Sequence, residues 1–104
     1  MDIKKKQYLE QNIFFGIAEF KNVSEFFSET DFKLILERVK QNGLGIYGIE
    51  TAINGDFDGC LVYEEFTNNP ADDKWYFRAF EILKDNQKDV LFSATFYVPE
   101  NLYS

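Results

Sequence analysis

The stretch from Leu44 to Phe66, LGIYGIETAINGDFDGCLVYEEF, decides the fold of this chain. Apolar and polar residues alternate on both sides of Asn54-Gly55, which is the pattern of two neighbouring strands. An Asn-Gly pair favours a type I′ turn, because both central residues of that turn adopt positive φ. We therefore predict a β-hairpin, with one strand over Leu44–Ile53 and its partner over about Phe57–Phe66.

The hairpin and the loop after it, residues 44–73, are strongly acidic. They hold seven acids and no Lys or Arg, whereas the rest of the chain holds eleven acids and eleven bases. The formal net charge of -7 therefore comes from this segment alone. Such a surface disfavours nucleic acid as a partner and favours a basic protein. The candidate partner-binding residues are Glu50, Asp56, Asp58, Glu64, Glu65, Asp72 and Asp73, with Tyr63 and Trp75 as aromatic anchors.

A helix is predicted upstream of the hairpin, over about Asp31–Asn42. Its apolar residues follow the i, i+3, i+4, i+7 spacing of a single helix face, and they are Phe32, Ile35, Leu36 and Val39. Ser28 or Thr30 is a suitable N-cap, and Gly43 supplies a left-handed stop.

The segment Asn12–Phe20, NIFFGIAEF, fits two interpretations. Its apolar residues alternate as they do in a strand, and Phe and Ile favour sheets. Ile13 and Ile17 also share a helix face with Leu9. Gly16 destabilises a helix by about 1 kcal/mol relative to Ala, so we predict a strand here.

A second helix is predicted over about Pro70–Asn86, because Pro is favoured at the first helical position and acids follow it. A last strand is predicted over Asp89–Val98, where apolar residues alternate. The resulting order, βαββαβ, is that of the ferredoxin-like sandwich, with two helices on one face of a four-stranded antiparallel sheet. Residues 1–104 would form one domain. The alternative is another α+β sandwich, in which an N-terminal helix replaces the first strand.

The hairpin tip contains a near match to the EF-hand calcium loop, D-x-[DN]-x-[DN]-G-x5-E. The matching residues are Asn54, Asp56, Asp58, Gly59 and Glu65. Asn at the first position removes a charge, and an EF-hand loop is flanked by helices rather than by strands. We therefore predict no metal ion, and we expect these carboxylates to face solvent or a partner.

The sequence predicts a binding protein rather than an enzyme, with no cofactor. The chain has no histidine and a single cysteine, Cys60, so it lacks the thiol–imidazole pair of a cysteine nucleophile and the ligands of a His/Cys metal site. Glu64 and Glu65 are neighbours on a predicted strand and would point to opposite faces. Asp72 and Asp73 suit the positive end of the helix that they begin.

Cellular location is predicted from the N-terminal region and the cysteine count. Lys4–Lys6 is followed by a further polar stretch rather than by the apolar core of a signal peptide. No apolar run approaches the roughly 20 residues that span a bilayer. A single cysteine suits a reducing compartment. We expect a cytoplasmic protein without a membrane partner.

In size, charge and aromatic content, and in the segment GIYGIETAINGDFDGCLVYEEF, the chain resembles the small bacterial immunity proteins of contact-dependent growth inhibition and other polymorphic toxin systems. This resemblance implies a protein that binds and neutralises one cognate toxin domain, often a basic nuclease. Acidic groups would complement the positive cleft that a nuclease uses for its phosphate substrate. The alternatives are a phage-type inhibitor or nucleic-acid mimic that acts on a defence nuclease, and a small ligand-sensing regulatory domain.

Overall fold

The computed structural model describes residues 3–17, 26–84 and 89–103. These residues form three helices and a three-stranded antiparallel sheet with the strand order β2-β1-β3. The elements are α1 (Ile3–Asn12), α2 (Glu29–Gln41), β1 (Gly45–Ile53), β2 (Asp56–Val62), α3 (Asp73–Lys84) and β3 (Val90–Tyr97). Short 3-10 turns follow β2 at Tyr63–Glu65 and β3 at Glu100–Leu102.

The predicted hairpin is confirmed. Asn54 and Gly55 adopt φ values of 54° and 85°, as a type I′ turn requires. β1 pairs antiparallel with β2, and a bulge leaves Asp58 opposite no residue of β1. The second strand ends early, at Val62, because the Glu65 carboxylate accepts a hydrogen bond from the Val62 N–H at 2.8 Å and the chain turns into the 3-10 segment.

Helix α2 follows the local signals of its sequence. Its whole predicted apolar face is buried, and this face consists of Phe32, Ile35, Leu36 and Val39. The Ser28 hydroxyl accepts a hydrogen bond from the Asp31 N–H at 3.2 Å, so Ser28 rather than Thr30 is the N-cap. Gly43 adopts a φ of 70° just after the helix, as the predicted left-handed stop.

Helix α3 begins at Asp73, later than the predicted start at Pro70. The Asp72 carboxylate accepts a hydrogen bond from the Lys74 N–H at 3.0 Å, which makes Asp72 the cap of the helix. The Asn69 side chain closes a separate turn just before it, and Pro70 belongs to that turn.

The predicted ferredoxin-like fold is wrong in its numbers of strands and helices. The described residues form three strands rather than four, and three helices rather than two. The error lies in the segment Asn12–Phe20, which was expected to be the first strand. Asn12 is the last residue of α1, residues 13–17 form turns, and residues 18–20 lie outside the described part. The helix at the N-terminus, α1, lies ahead of this segment.

Arg38 of α2 explains why the turns after α1 do not join the sheet. Its guanidinium donates hydrogen bonds to the carbonyl oxygens of Ile13 and Phe15, at 2.9 and 2.6 Å, and lies 3.7 Å from the centre of the Phe15 ring. Ile13, Phe14 and Ile17 are buried while Phe15 is exposed. The backbone acceptors that a strand would use are therefore engaged by a helix.

The helices cover one face of the sheet, here called the inner face. Inner-face residues and helix residues share one core, whose largest fully buried side chains include Tyr76, Phe27, Phe32, Phe80 and Phe92. The Phe92 ring lies 5.3 Å from that of Phe32 and 5.0 Å from that of Phe80, between centroids. Phe27 closes the free edge of β3 with two backbone hydrogen bonds to Phe92. In the described part of the chain, no helix has the length and apolar character that crossing a membrane demands.

The exit loop, residues 66–72, is attached to the beginning of β1. The Pro70 carbonyl oxygen accepts hydrogen bonds from the Ile46 N–H at 2.9 Å and from the Trp75 indole N–H at 3.3 Å. The same indole N–H lies 3.1 Å from the Ile46 carbonyl oxygen. A side chain at Gly45 would block this approach, because its Cβ would lie 2.6 Å from the Pro70 oxygen.

We expect Gly45→Ala to lower the free energy of unfolding by about 1–3 kcal/mol, because the added methyl group forces the exit loop away from β1. Urea denaturation measures this change. Gly59→Ala is the matched control, since its Cβ would have no neighbour closer than 3.5 Å. Equal stability of the two variants would contradict the close packing of the exit loop.

A second stability prediction concerns Tyr76. Its ring is fully buried, and its hydroxyl has no hydrogen-bond partner among the described residues. Burial is the main cause that raises the pKa of this hydroxyl, and the nearby negative charges of Asp73 and Asp72 raise it further. We expect Tyr76→Phe to raise the free energy of unfolding by about 1 kcal/mol, because an unpaired buried hydroxyl is costly. Tyr47→Phe is the exposed control. A clear loss of stability in Tyr76→Phe would show that the hydroxyl is hydrogen-bonded.

Candidate functional site

The outer face of the sheet lies opposite the helices. Strand alternation and register place on it Tyr47, Gly48, Glu50 and Ala52 of β1, Phe57, Cys60 and Val62 of β2, and Leu91, Ser93, Thr95 and Tyr97 of β3. Three of its large side chains are well exposed: Phe57 at 67%, Leu91 at 40% and Tyr47 at 39%. Clustered exposed apolar side chains are typical of a binding surface.

A tyrosine cluster, Tyr47, Tyr63 and Tyr97, lies at one end of the outer face. The Tyr47 ring is 6.0 Å from that of Tyr63 and 5.8 Å from that of Tyr97, between centroids, at interplanar angles of 59° and 72°. Tyr47 is the extra residue of a bulge between Ile46 and Gly48 in the pairing with β3. Because a bulge re-aims a side chain, Tyr47 and Gly48 both lie on the outer face.

The opposite end of the outer face is also apolar, but only one of its residues, Phe57, is aromatic. Ala52 is paired with Phe57 on one side and with Leu91 on the other, so the three side chains form a row across the sheet. Ala52 is buried beneath its two larger neighbours. The outer face therefore has apolar contacts at both ends, with polar residues between them.

Glu50 occupies the middle of the outer face. It is paired with Cys60 on β2 and with Ser93 on β3. The Glu50 carboxylate is exposed and forms no ion pair with the bases of the described residues. An unpaired carboxylate between two apolar regions can be satisfied either by water or by a cation brought by a partner.

Charge is divided between the two sides of the molecule. Strands β1, β2 and β3 contain no Lys or Arg. The bases in the described residues all lie on the helices: Lys4, Lys5 and Lys6 on α1, Lys33, Arg38 and Lys40 on α2, and Lys74, Arg78 and Lys84 on α3. Among the described residues, the charged side chains of the strands, here called the sheet side, are therefore all acidic, whereas every base lies on a helix, together with further acids.

The seven predicted acids do not form one cluster. Asp56 and Asp58 lie near the hairpin turn, while Glu64 and Glu65 lie beyond the other end of β2. Glu50 stands alone on the outer face. Asp72 and Asp73 begin α3.

Four of these acids have local roles. Asp58 lies 3.3 Å from the hydroxyl of buried Thr51, and Asp73 lies 3.5 Å from the Lys40 ammonium. Glu65 and Asp72 accept the backbone hydrogen bonds that end β2 and begin α3. The other three acids, Glu50, Asp56 and Glu64, are exposed and make no hydrogen bond or ion pair in the part of the chain that the structure describes.

The two predicted aromatic anchors differ in position. Tyr63 belongs to the tyrosine cluster and is partly exposed. Trp75 is 2% exposed, and its indole N–H is hydrogen-bonded inside the molecule, so it stabilises the fold and does not reach the outer face. Sequence reasoning missed Tyr47, Phe57 and Leu91. Alternation with core residues was a usable signal for Leu91 only, because bulges shift the alternation at Tyr47 and Phe57.

The residues that resemble an EF-hand loop lie on the hairpin, without flanking helices. Within residues 3–17, 26–84 and 89–103, no three Cys, Asp or Glu side chains cluster as metal ligands would. The carboxylates of this segment are thus spread along a strand rather than gathered around one point.

Comparisons with protein-family models, with curated proteins and with solved structures give no match. The function of the outer face is therefore inferred from its geometry and its charge.

Cys60 provides a chemical reporter on the outer face. Partial burial is the main cause that raises the pKa of the Cys60 thiol. The negative charges of the Glu50 and Glu65 carboxylates raise it further. A raised pKa lowers the thiolate fraction, and the thiolate is the reactive form. We expect Glu50→Gln to lower this pKa and to speed alkylation by iodoacetamide at pH values below it. Well above the pKa, the rates of the two proteins should converge.

The pH profile of alkylation, followed by mass spectrometry, measures this effect. Glu64→Gln is the matched control, because Glu64 is an exposed acid close in sequence that does not contribute to the shift. A profile that moves equally in both variants would contradict the placement of Glu50 beside Cys60.

Proposed function

We propose that this chain is an immunity-type inhibitor that binds a basic toxin domain through the outer face of its sheet. The observation that carries this proposal is the combination of an exposed, partly aromatic sheet face with the absence of Lys and Arg from all three strands. A nuclease toxin is the best-fitting target, since its substrate cleft must be positive in order to hold phosphates.

The charge division supports binding in one orientation. An approaching basic domain is attracted by the sheet side and repelled by the bases on the helices, which raises the association rate and fixes the orientation of the encounter. Glu50, Asp56 and Glu64 are the acids available for such contacts, because their carboxylates form no hydrogen bond or ion pair in the described chain.

The exposed aromatic side chains support affinity. Tyrosine side chains contribute large contact areas at a low cost in conformational entropy, and they are enriched among residues that dominate binding energy. The tyrosine cluster and the row of Phe57, Ala52 and Leu91 would supply apolar contacts on either side of Glu50.

Co-expression tests the inhibitor function. The gene directly beside this chain in the source genome is examined for a secreted effector. The C-terminal domain of that effector is then expressed in bacteria, with and without the chain. Restored growth, together with a stable complex in gel filtration, is the expected result. The proposal fails if no toxic domain is encoded there, or if such a domain stops growth equally in both cultures.

Neutralising the exposed acids should slow association with that toxin domain. The test variant combines Glu50→Gln, Asp56→Asn and Glu64→Gln. The control variant combines Glu10→Gln, Glu37→Gln and Glu81→Gln, which are exposed acids on the helices. Both variants raise the formal net charge by three. The control also removes the partly exposed ion pair of Glu81 with Lys84, at 3.4 Å.

We expect the test variant to lower the association rate constant by about tenfold at low salt, and the control to change it by less than about twofold. Stopped-flow fluorescence over a range of salt concentrations measures both. The difference should shrink as salt screens the charges. If the two variants associate equally fast, the acids of the sheet side do not direct the encounter.

A further inference from the structure

We propose that the outer face receives one arginine side chain of its partner, which lies over Gly48 between the tyrosine cluster and Glu50. This inference rests on the proposed function and names the chemistry by which the partner is recognised. It also predicts that lysine is a poor substitute for that arginine.

Gly48 leaves an open space in the middle of the outer face. It is paired with Val62 on β2 and with Thr95 on β3. Outside its two chain neighbours, a Cβ built on Gly48 would meet only the Val62 Cγ1 atom at 3.4 Å and the Leu61 carbonyl oxygen at 3.5 Å, so the rings of Tyr63 and Tyr97 do not fill this space. Along β1 the space is bounded by Tyr47 on one side and by Glu50 on the other. The Glu50 Cα lies about 7 Å from the Gly48 Cα, as for two residues along a strand.

Both boundaries of this space suit the guanidinium of an arginine side chain. Its planar guanidinium can stack on the face of Tyr47 and donate two hydrogen bonds to the Glu50 carboxylate. Its aliphatic stem can pack on Val62 and on the Thr95 methyl group. A lysine ammonium is a compact, strongly hydrated charge that cannot stack in this way.

No base in residues 3–17, 26–84 and 89–103 supplies the cation. The bases in these residues lie on the helices, and Arg38 is engaged by the carbonyl groups of Ile13 and Phe15. A second copy bound face to face is disfavoured as well. Two-fold pairing through this face would bring two Glu50 carboxylates together without a base on either sheet. The described bases and the Glu50 repulsion therefore favour an occupant from a different protein.

Two short peptides test the arginine site directly. Acetylated and amidated Gly-Gly-Arg-Gly-Gly and its lysine counterpart are titrated into the ¹⁵N-labelled protein at low salt. We expect the arginine peptide to shift the amide signals of Gly48, Glu50 and Thr95 and to leave the helices unchanged. The lysine peptide should bind at least about fivefold more weakly, as expected for the loss of a stacked cation–π contact.

Gly48→Val fills the open space with a residue that favours strands, so the sheet should be preserved. We expect this variant to lose the arginine-specific shifts. Gly59→Ala is the matched control, because its Cβ would contact Thr51 and Leu83 on the inner face. Glu50→Gln should weaken the binding of the arginine peptide by at least about fivefold, because the guanidinium loses its charged partner.

Any one of three peptide results would overturn the arginine site. The arginine peptide could shift only signals outside the outer face, it could bind Gly48→Val as well as the unaltered protein, or lysine and arginine could bind equally. Concentration-dependent self-association that buries the outer face would also overturn it. If Gly48→Val neutralises the toxin domain as well as the unaltered protein does, this inference fails while the proposed function stands. If arginine binds over Gly48 and no toxin is neutralised, the proposed function fails instead.

Discussion

The carbonyl oxygen of Pro70 joins the exit loop, strand β1 and helix α3 at one point. It accepts hydrogen bonds from the Ile46 N–H and the Trp75 indole N–H. Because β2 ends at Val62, Pro70 takes the place of a strand neighbour beside the first residues of β1. Ile46 is thereby held with its side chain in the core, and the bulged Tyr47 that follows lies on the outer face. This acceptor therefore helps to fix the start of β1, from which Tyr47 of the tyrosine cluster projects.

A sheet that is covered on one face separates two kinds of surface. The helices bury the inner face and carry the bases of the described chain, while the only charged residues of the strands are acids. This separation follows from how each helix is built. A helix that buries one stripe leaves its other side for charged residues, whereas the outer side of each strand offers only alternate positions. The outer face is consequently small, and its aromatic side chains and its lack of Lys and Arg come from the sequences of the three strands themselves.

Local signals in the sequence were enough to predict the hairpin and α2. Asn54-Gly55 determines its turn by backbone sterics, and Ser28 and Gly43 delimit the helix by capping. The features that were mispredicted or missed depend on contacts distant in sequence. Arg38 binds the carbonyl of Ile13 across 25 residues and keeps that segment out of the sheet.

The location of the candidate site was predicted only in part, for the same reason. The acids were identified by composition, but which of them have local partners depends on folded contacts such as those of Asp58 and Asp73. Trp75 is buried by a hydrogen bond across 29 residues. The bulge at Tyr47 shifts the alternation of β1, so a regular pattern placed Tyr47 with the core residues.

Under the proposed function, Glu50 would give the outer face a way to choose its partner. While the face is exposed, its carboxylate is hydrated at no cost. A partner that covers the face with apolar atoms alone would bury an unpaired charge, which costs several kcal/mol and offsets the gain from the surrounding Tyr47 and Phe57 contacts. A partner that places a cation there avoids this cost. The central acid therefore contributes less to affinity than to the rejection of uncharged or acidic surfaces, and the aromatic side chains around it bind strongly only where that condition is met.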